Sequence, residues 1–173
     1  MYPKEYIQFL AHFHSDRDYF ECHEVLEEYW KRTDSGNKSS VLVGLILLAV
    51  STYHHRRCNF IGAKRTLEKA IKIFDTQGCW LKKLGLDPSL LYDLLKKRFS
   101  IIEKEEAYTS FDLPICDSLL LEVCREYCKQ VELQWGRASD FTNNSLIHRH
   151  MLRDRTSVIE ERRQSLIMRK GRE

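Results

Sequence analysis

In the stretch YFECHEVLEEYW, residues 19–30, one imidazole and four carboxylates fall within little more than three helical turns. His23 and Glu27 are four apart, which on a helix is one turn and one face. A neutral imidazole nitrogen and a carboxylate in that relation can take two positions on one divalent ion. They can also act as an acid and base pair. Glu24 stands at the margin of the same face, and His55, at the end of a later helix, is a further candidate ligand. HEVLE differs from the zinc-protease pattern HExxH in placing Glu27 where the second His belongs, which argues against that chemistry.

At 100° per residue with His23 at zero, Trp30 lies at about −20°, Tyr19 at about −40°, Leu26 at about −60° and Glu27 at about +40°. The pair is therefore expected inside an apolar stripe, largely buried. An imidazole and a carboxylate without partners there would cost several kcal/mol. Two readings satisfy them. In the structural one, His23 donates to Glu27, and Arg56 or Arg57 closes a buried network that fixes helix register. In the functional one, the pair opens into a pocket with Trp30 as a wall and Tyr19 in line, and holds a divalent metal ion or a small ligand. A metal-dependent hydrolase is the furthest extension of the second reading, and no recognisable catalytic motif names a reaction.

The elements that position these residues are helices. Tyr6, Phe9, Leu10 and Phe13 recur at i, i+3, i+4 and i+7. Asp18 is the expected cap of the next helix, with Glu21 completing a capping-box pattern, and that helix runs to Arg32. TDSGNKSS reads as a polar loop. The helix from Val41 to Arg57 is apolar nearly all round over its first part, so it should be the central one. Asn59 caps a fourth, with Ala63, Leu67, Ala70, Ile71 and Phe74 inward, ending near Gly78. Shifted by 41 residues, Tyr19 falls on Phe60, Cys22 on Ala63 and Leu26 on Leu67, so the second helix of each hairpin shares one apolar register.

These spacings predict an all-α chain, an antiparallel bundle of two helical hairpins plus additional C-terminal helices. Residues 1–78 form the four-helix core and 79–135 the additional packed helices. Asp87 and Pro88 open a helix carrying Leu91, Leu94, Leu95 and Ile102. FDLPI is an extended piece. A last packed helix, Cys116 to Gln134, is expected to turn Leu119, Leu120, Val123 and Tyr127 inward. GRASDFTNN, 136–144, reads as a linker. Residues 145–173 read as a basic charged helix, loosely attached, with Leu152, Ile159 and Leu166 a heptad apart.

The chain has 173 residues, 43% of them hydrophobic, enough for one domain with its own core. A formal net charge of +3 is too small to imply nucleic-acid binding. Residues 145–173 hold 8 Lys/Arg against 4 Asp/Glu and so contain the whole basic excess. Asp154, Glu160 and Glu161 dilute that field and no stacking aromatics are interleaved, so nucleic-acid contact through the tail is disfavoured. A protein partner or self-association is the role left for a helical interaction module. The N-terminal MYPKEYIQFL lacks the features of a signal peptide, and the apolar run Val41–Val50 is about half the length of a bilayer span. The six cysteines contain no CxxC pair and read as reduced thiols. A cytoplasmic protein away from the membrane is expected. Zinc at Cys124 and Cys128 is disfavoured, because structural zinc sites show tighter paired spacings.

RDYFECHEVLEEYW followed by VGLILLAVSTYHHRRCNFIGAKRTLEKA resembles the bacterial and archaeal family called domain of unknown function 309, whose hallmark is H-x-x-x-E-x-x-W/Y. Here that motif is His23, Glu27 and Trp30, and the resemblance covers residues 5 to 75. It departs at Cys58, where relatives often have Gly before the Asn. The resemblance implies a small all-α fold and a metal-binding role for the motif. It implies no established activity.

Overall fold

Four large side chains on one face make the first helix amphipathic, and Tyr6, Phe9, Leu10 and Phe13 are all fully buried. The computed structural model describes residues 1–152. Among them the order is α1 (Lys4–His14), α2 (Tyr19–Thr33), α3 (Val41–Arg56), α4 (Phe60–Phe74), α5 (Gly78–Lys83), α6 (Pro88–Glu103), α7 (Ser118–Gln130), α8 (Asn144–Ile147) and α9 (Arg149–Leu152). No strand is found among the described residues. One isolated antiparallel bridge joins Leu86 to Ile115 in the Pro-broken extended piece. The fold is all-α, as the spacings predict. No helix among the described residues is long and apolar enough to cross a membrane.

The predicted caps hold their helices. Asp18 accepts from the Glu21 N–H at 3.0 Å, Asn59 from the Gly62 N–H at 3.0 Å, and Asp87 from the Ser89 and Leu90 N–H groups. Each satisfies orphan donors of a first turn. Glu21 does not return a capping-box bond, because its carboxylate meets Arg149 at 3.1 Å instead. α3 is buried on nearly all sides and lies between α2 and α4. Gly44 leaves room in this stack for a ring of α4. A Cβ there would stand 2.5 Å from the Phe74 ring on α4.

Around this four-helix core α6 packs on α4 and α7 packs on α1. The short α5, which bridges α4 and the Asp87 turn, has no periodic pattern of its own. α7 faces inward with Leu120, Cys124 and Cys128, all but fully buried, while Leu119 and Val123 are exposed at 69% and 46%. That corrects the expected inward set. The buried stripe runs i, i+4, i+8 through two cysteines, which pack here as small hydrophobes. Both remain free thiols, and burial pushes Cys124 up to about 12.

The stretch 136–144, expected as a linker, is bonded to the core. The Gly136 N–H donates to His14 O at 2.7 Å, and the Ser139 N–H to Ser110 Oγ at 2.8 Å. Composition alone reads small polar residues as freedom, but the backbone of this stretch bonds the His14 carbonyl, the Ser110 hydroxyl and the buried Arg17 guanidinium. Residues 145–152 also touch the core: Ile147 is buried and His150 Nδ1 lies 2.8 Å from the Tyr53 hydroxyl. Ile159 and Leu166 of the expected tail stripe lie outside the described residues.

Candidate functional site

α2 presents His23, Glu24 and Glu27 together. His23 Nε2 lies 2.8 Å from Glu27 Oε2, and His23 Nδ1 lies 3.1 Å from Glu24 Oε1. The ligand-capable atoms of these three residues all fall within 4.8 Å of one another. Lys31, one turn beyond, reaches Glu27 Oε1 at 3.0 Å. The imidazole is thus held between two carboxylates, and an ammonium supports one of them.

The side chain of His23 is 24% exposed, so it is half-buried rather than sealed. The reason is angular. The fully buried residues of α2 are Tyr19, Cys22 and Leu26, which fall at about −40°, −100° and −60°. The core therefore faces a direction near Leu26, and His23 stands on its shoulder. At that shoulder burial works against the charged ring, but the hydrogen bonds to Glu24 and Glu27, with their charges, outweigh it and lift His23 to about 9. The hydrogen bond from His23 holds Glu27 down at about 2, against burial and with help from Lys31. At neutral pH the cluster is an imidazolium between two carboxylates.

The other residues expected at this site are placed as follows. Trp30 stands two turns along α2, and its indole N–H donates to Asn37 O at 3.2 Å, closing the loop to α3. The ring against His23 is that of Phe20, with centres 6.0 Å apart. His55 is 1% exposed and turned to another partner set. Its Nδ1 faces Arg98 Nη2 at 3.1 Å and its Nε2 faces Glu106 O at 2.9 Å. An arginine can only donate, so Nδ1 accepts and Nε2 carries the proton. Arg56 and Arg57 do not close the His23–Glu27 network; Lys31 supplies that cation. Instead the Arg56 guanidinium lies 4.9 Å over the Tyr19 ring and 5.9 Å over Tyr53, and Arg57 lies 5.3 Å over Tyr53.

Two arginines and a histidine that no motif marks in the sequence hold the bundle's polar interior. Arg17, in the α1–α2 turn with φ +59°, gives Nη1 to Phe13 O and Phe111 O, Nε to Arg137 O and Nη2 to Asp112. Asp112 is held down at about 2, first by His14 and then by Arg17. Arg98 sits in the buried stripe Leu91–Leu95–Arg98–Ile102 of α6, between Phe111 and Tyr108, and donates to Thr109. Its place in that stripe is the signal that could have found it. His14 stacks on Trp135 with ring centres 4.5 Å apart. The Tyr19 and Tyr108 hydroxyls, both buried, bond to each other.

Beside the α2 cluster opens a cleft of about 600 Å³, lined by Phe20, Glu21, Glu24, Asn143, Leu146 and Arg149. Arg149, on its wall, bonds Asp18 and meets Glu21. Glu24 therefore joins the imidazole on one side and the open cleft on the other.

A half-buried His with two carboxylates one and four residues on matches the motif spacing noted in the sequence, and comparison with known proteins decides the family. Residues 6–66 match the family described as "Domain of unknown function (DUF309)". The chain is 46% identical over 170 residues to a protein described as "Uncharacterized protein YpuF" from Bacillus subtilis (strain 168), covering 98% of each. The chain belongs to the DUF309 family. No solved structure matches it. Membership in DUF309 extends here to a chain whose four-helix core is completed by α5–α9, well past the matched residues.

Proposed function

We propose that this DUF309 protein binds a divalent metal ion through His23 Nε2 and Glu27, with Glu24 accepting the Nδ1–H and so fixing the ring. The observation that supports it is the convergence of three ligand-capable atoms within 4.8 Å, one of them on Glu24, which also lines the cleft. An imidazole and a carboxylate suit borderline ions such as zinc, and a carboxylate on the second ring nitrogen raises the basicity of the first. When bound, such an ion would supply Lewis acidity toward whatever enters the cleft. The chain's own residues do the rest. Lys31 holds Glu27, Phe20 walls the ring, and the imidazolium proton must leave before Nε2 can ligate.

The test is metal content and binding. Tag-free protein should take up one zinc ion per chain by calorimetry, and His23→Ala and Glu27→Gln should each abolish the stoichiometric uptake. Equal, weak uptake by all three proteins would refute the site. In that case the second reading takes over, in which the pair is a structural clamp within a helical interaction module and a protein partner or a second copy is the ligand. The full pairing of His23 inside α2, with Lys31 behind it, favours that reading. The six cysteines, all free thiols, fit a reducing and hence cytoplasmic setting.

A further inference from the structure

A second cleft, of about 390 Å³, opens at the C-terminal end of α2. Tyr29 of α2, the α2–α3 loop, the start of α3, the start of the chain and the surroundings of α5 all contribute to its lining. Its size is that of sites for small organic molecules, and so is its make-up, apolar walls with a few polar groups. The aromatic walls are Tyr6, Tyr29 and Trp80, and the polar groups are those of Asp34, Asn37, Ser40 and Gln77. Tyr6 is fully buried, and its hydroxyl donates to Leu84 O at 2.8 Å, which ties α1 to the end of α5. Trp80 is 54% exposed and stands at the entrance.

The polar wall is a loop bonded to itself. Asn37 Nδ2 donates to Asp34 Oδ2 at 3.2 Å, the Ser39 N–H to Asn37 Oδ1 at 3.2 Å, and the Ser40 N–H to Asn37 O at 3.2 Å. Trp30 Nε1 donates to the same Asn37 carbonyl. The tryptophan of the His23–Glu27–Trp30 motif thus pins the wall of this cleft. Among the described lining residues Asp34 is the one formal charge, so the cleft suits a donor-bearing ligand over an anion. A carboxylate takes two parallel N–H bonds from an amidine-type edge, and an exposed indole offers a face for stacking. We propose that this cleft binds a planar aromatic heterocycle with an amidine-type edge, a ring N–H beside an exocyclic amino group. The ring lies against Trp80 and Tyr29, and the edge donates to Asp34. The cleft shares no lining residue with the one beside His23, so the proposal stands apart from metal binding.

The test uses 2-aminobenzimidazole and the full chain. The Trp80 indole N–H resonance, assigned with Trp80→Phe, is followed as the probe is added. Indole, the same fused shape without the amidine edge, is the second arm. A saturable shift of the Trp80 signal by 2-aminobenzimidazole is expected, with indole at least about tenfold weaker. Asp34→Asn keeps the size of the side chain and should weaken the probe by about tenfold. Trp80→Ala, at an exposed position, should weaken it similarly, read from the Trp30 indole signal. No saturable shift, or an unchanged affinity in Trp80→Ala, would overturn the site. Indole binding as tightly as the probe, or an unchanged affinity in Asp34→Asn, would overturn the ligand class.

Discussion

His23 Nε2 and Glu27 Oε2 stand 2.8 Å apart across one turn of α2. The ring's other nitrogen is occupied by Glu24, so the imidazole has an anionic acceptor on each side. Its protonated form can donate to both at once, and its neutral form to only one. This asymmetry, rather than burial, sets the chemistry of the cluster.

The first consequence is a dependence of stability on pH. His23 has a folded value of about 9 against an ordinary 6.5, so the protonated ring stabilises the fold. That contribution is complete below pH 6.5 and is lost as pH rises through 9. Glu27, lowered to about 2 from 4.5, contributes above pH 4.5 and loses its contribution as pH falls toward 2. The pair is therefore worth most between pH 4.5 and 6.5. Because the residues are partly exposed, His23→Ala should cost about 1–2 kcal/mol there, after discounting for solvent screening. Denaturant melts should show the gap between wild type and variant closing by pH 9. A His23 ring titrating at its ordinary 6.5 by NMR would reject the clamp.

A second prediction concerns the proton that a metal must displace. Below pH 9 the free cluster carries that proton, so metal affinity should rise about tenfold per pH unit up to that point. Calorimetry in two buffers of different ionisation enthalpy should count one proton released per zinc bound at neutral pH. Proton-independent binding would place the ion away from His23.

Much of the core was legible because its signals are local. The faces of α1 and α4, and the caps Asp18, Asn59 and Asp87, depend on residue type and spacing within one or two turns. The His23–Glu27 contact was legible for the same reason. What failed depended on tertiary direction. The facing of α2 toward Leu26 is set by α1 and α3, and only that direction puts His23 on a shoulder instead of at the centre. Arg56 and Arg57 are the cations the sequence offers Glu27, but the Arg56 guanidinium swings toward Tyr19 and Ser139 and that of Arg57 toward Tyr53. The inward face of α7 runs through Cys124 and Cys128, which pack as small hydrophobes, so Leu119 and Val123 face out. The polar stretch at 136–144 resembled a linker, since nothing local shows that Arg17 and Arg56 bond to it.

A third prediction follows from the turn between α3 and α4. Cys58 adopts φ +57°, the left-handed region that glycine enters freely and other residues enter at a cost. The resemblance noted in the sequence departs at this position, where Gly is often found. Cys58→Gly should therefore stabilise the chain by about 0.5 kcal/mol, the relief of strain exceeding the extra backbone entropy glycine loses. Cys58→Val should destabilise it by about 1–2 kcal/mol, because a β-branched residue fits this conformation worse. Thermal melts of both variants check the order Gly above Cys above Val.

The last prediction concerns the stretch after α7. Arg17 Nε donates to Arg137 O at 2.7 Å, and Arg56 Nη1 donates to Ser139 Oγ at 3.1 Å. Both donors belong to guanidinium groups that are buried, with 2% and 5% exposure. A hydrogen bond to a buried charge contributes about 1.5–3 kcal/mol, and leaving such a donor empty costs its desolvation. A chain ending at Trp135 should therefore be less stable than one ending at Leu152 by about 3 kcal/mol or more. Asp18 also loses Arg149 in the shorter chain, which removes the charge partner of the α2 cap. The two chains, compared in the same denaturant, should differ in midpoint while both retain helical circular dichroism. The His14–Trp135 stack survives in both, so it cannot account for the difference. Equal midpoints would mean that residues 136–152 rest on the core without holding it, and that Arg17 and Arg56 are satisfied by other groups.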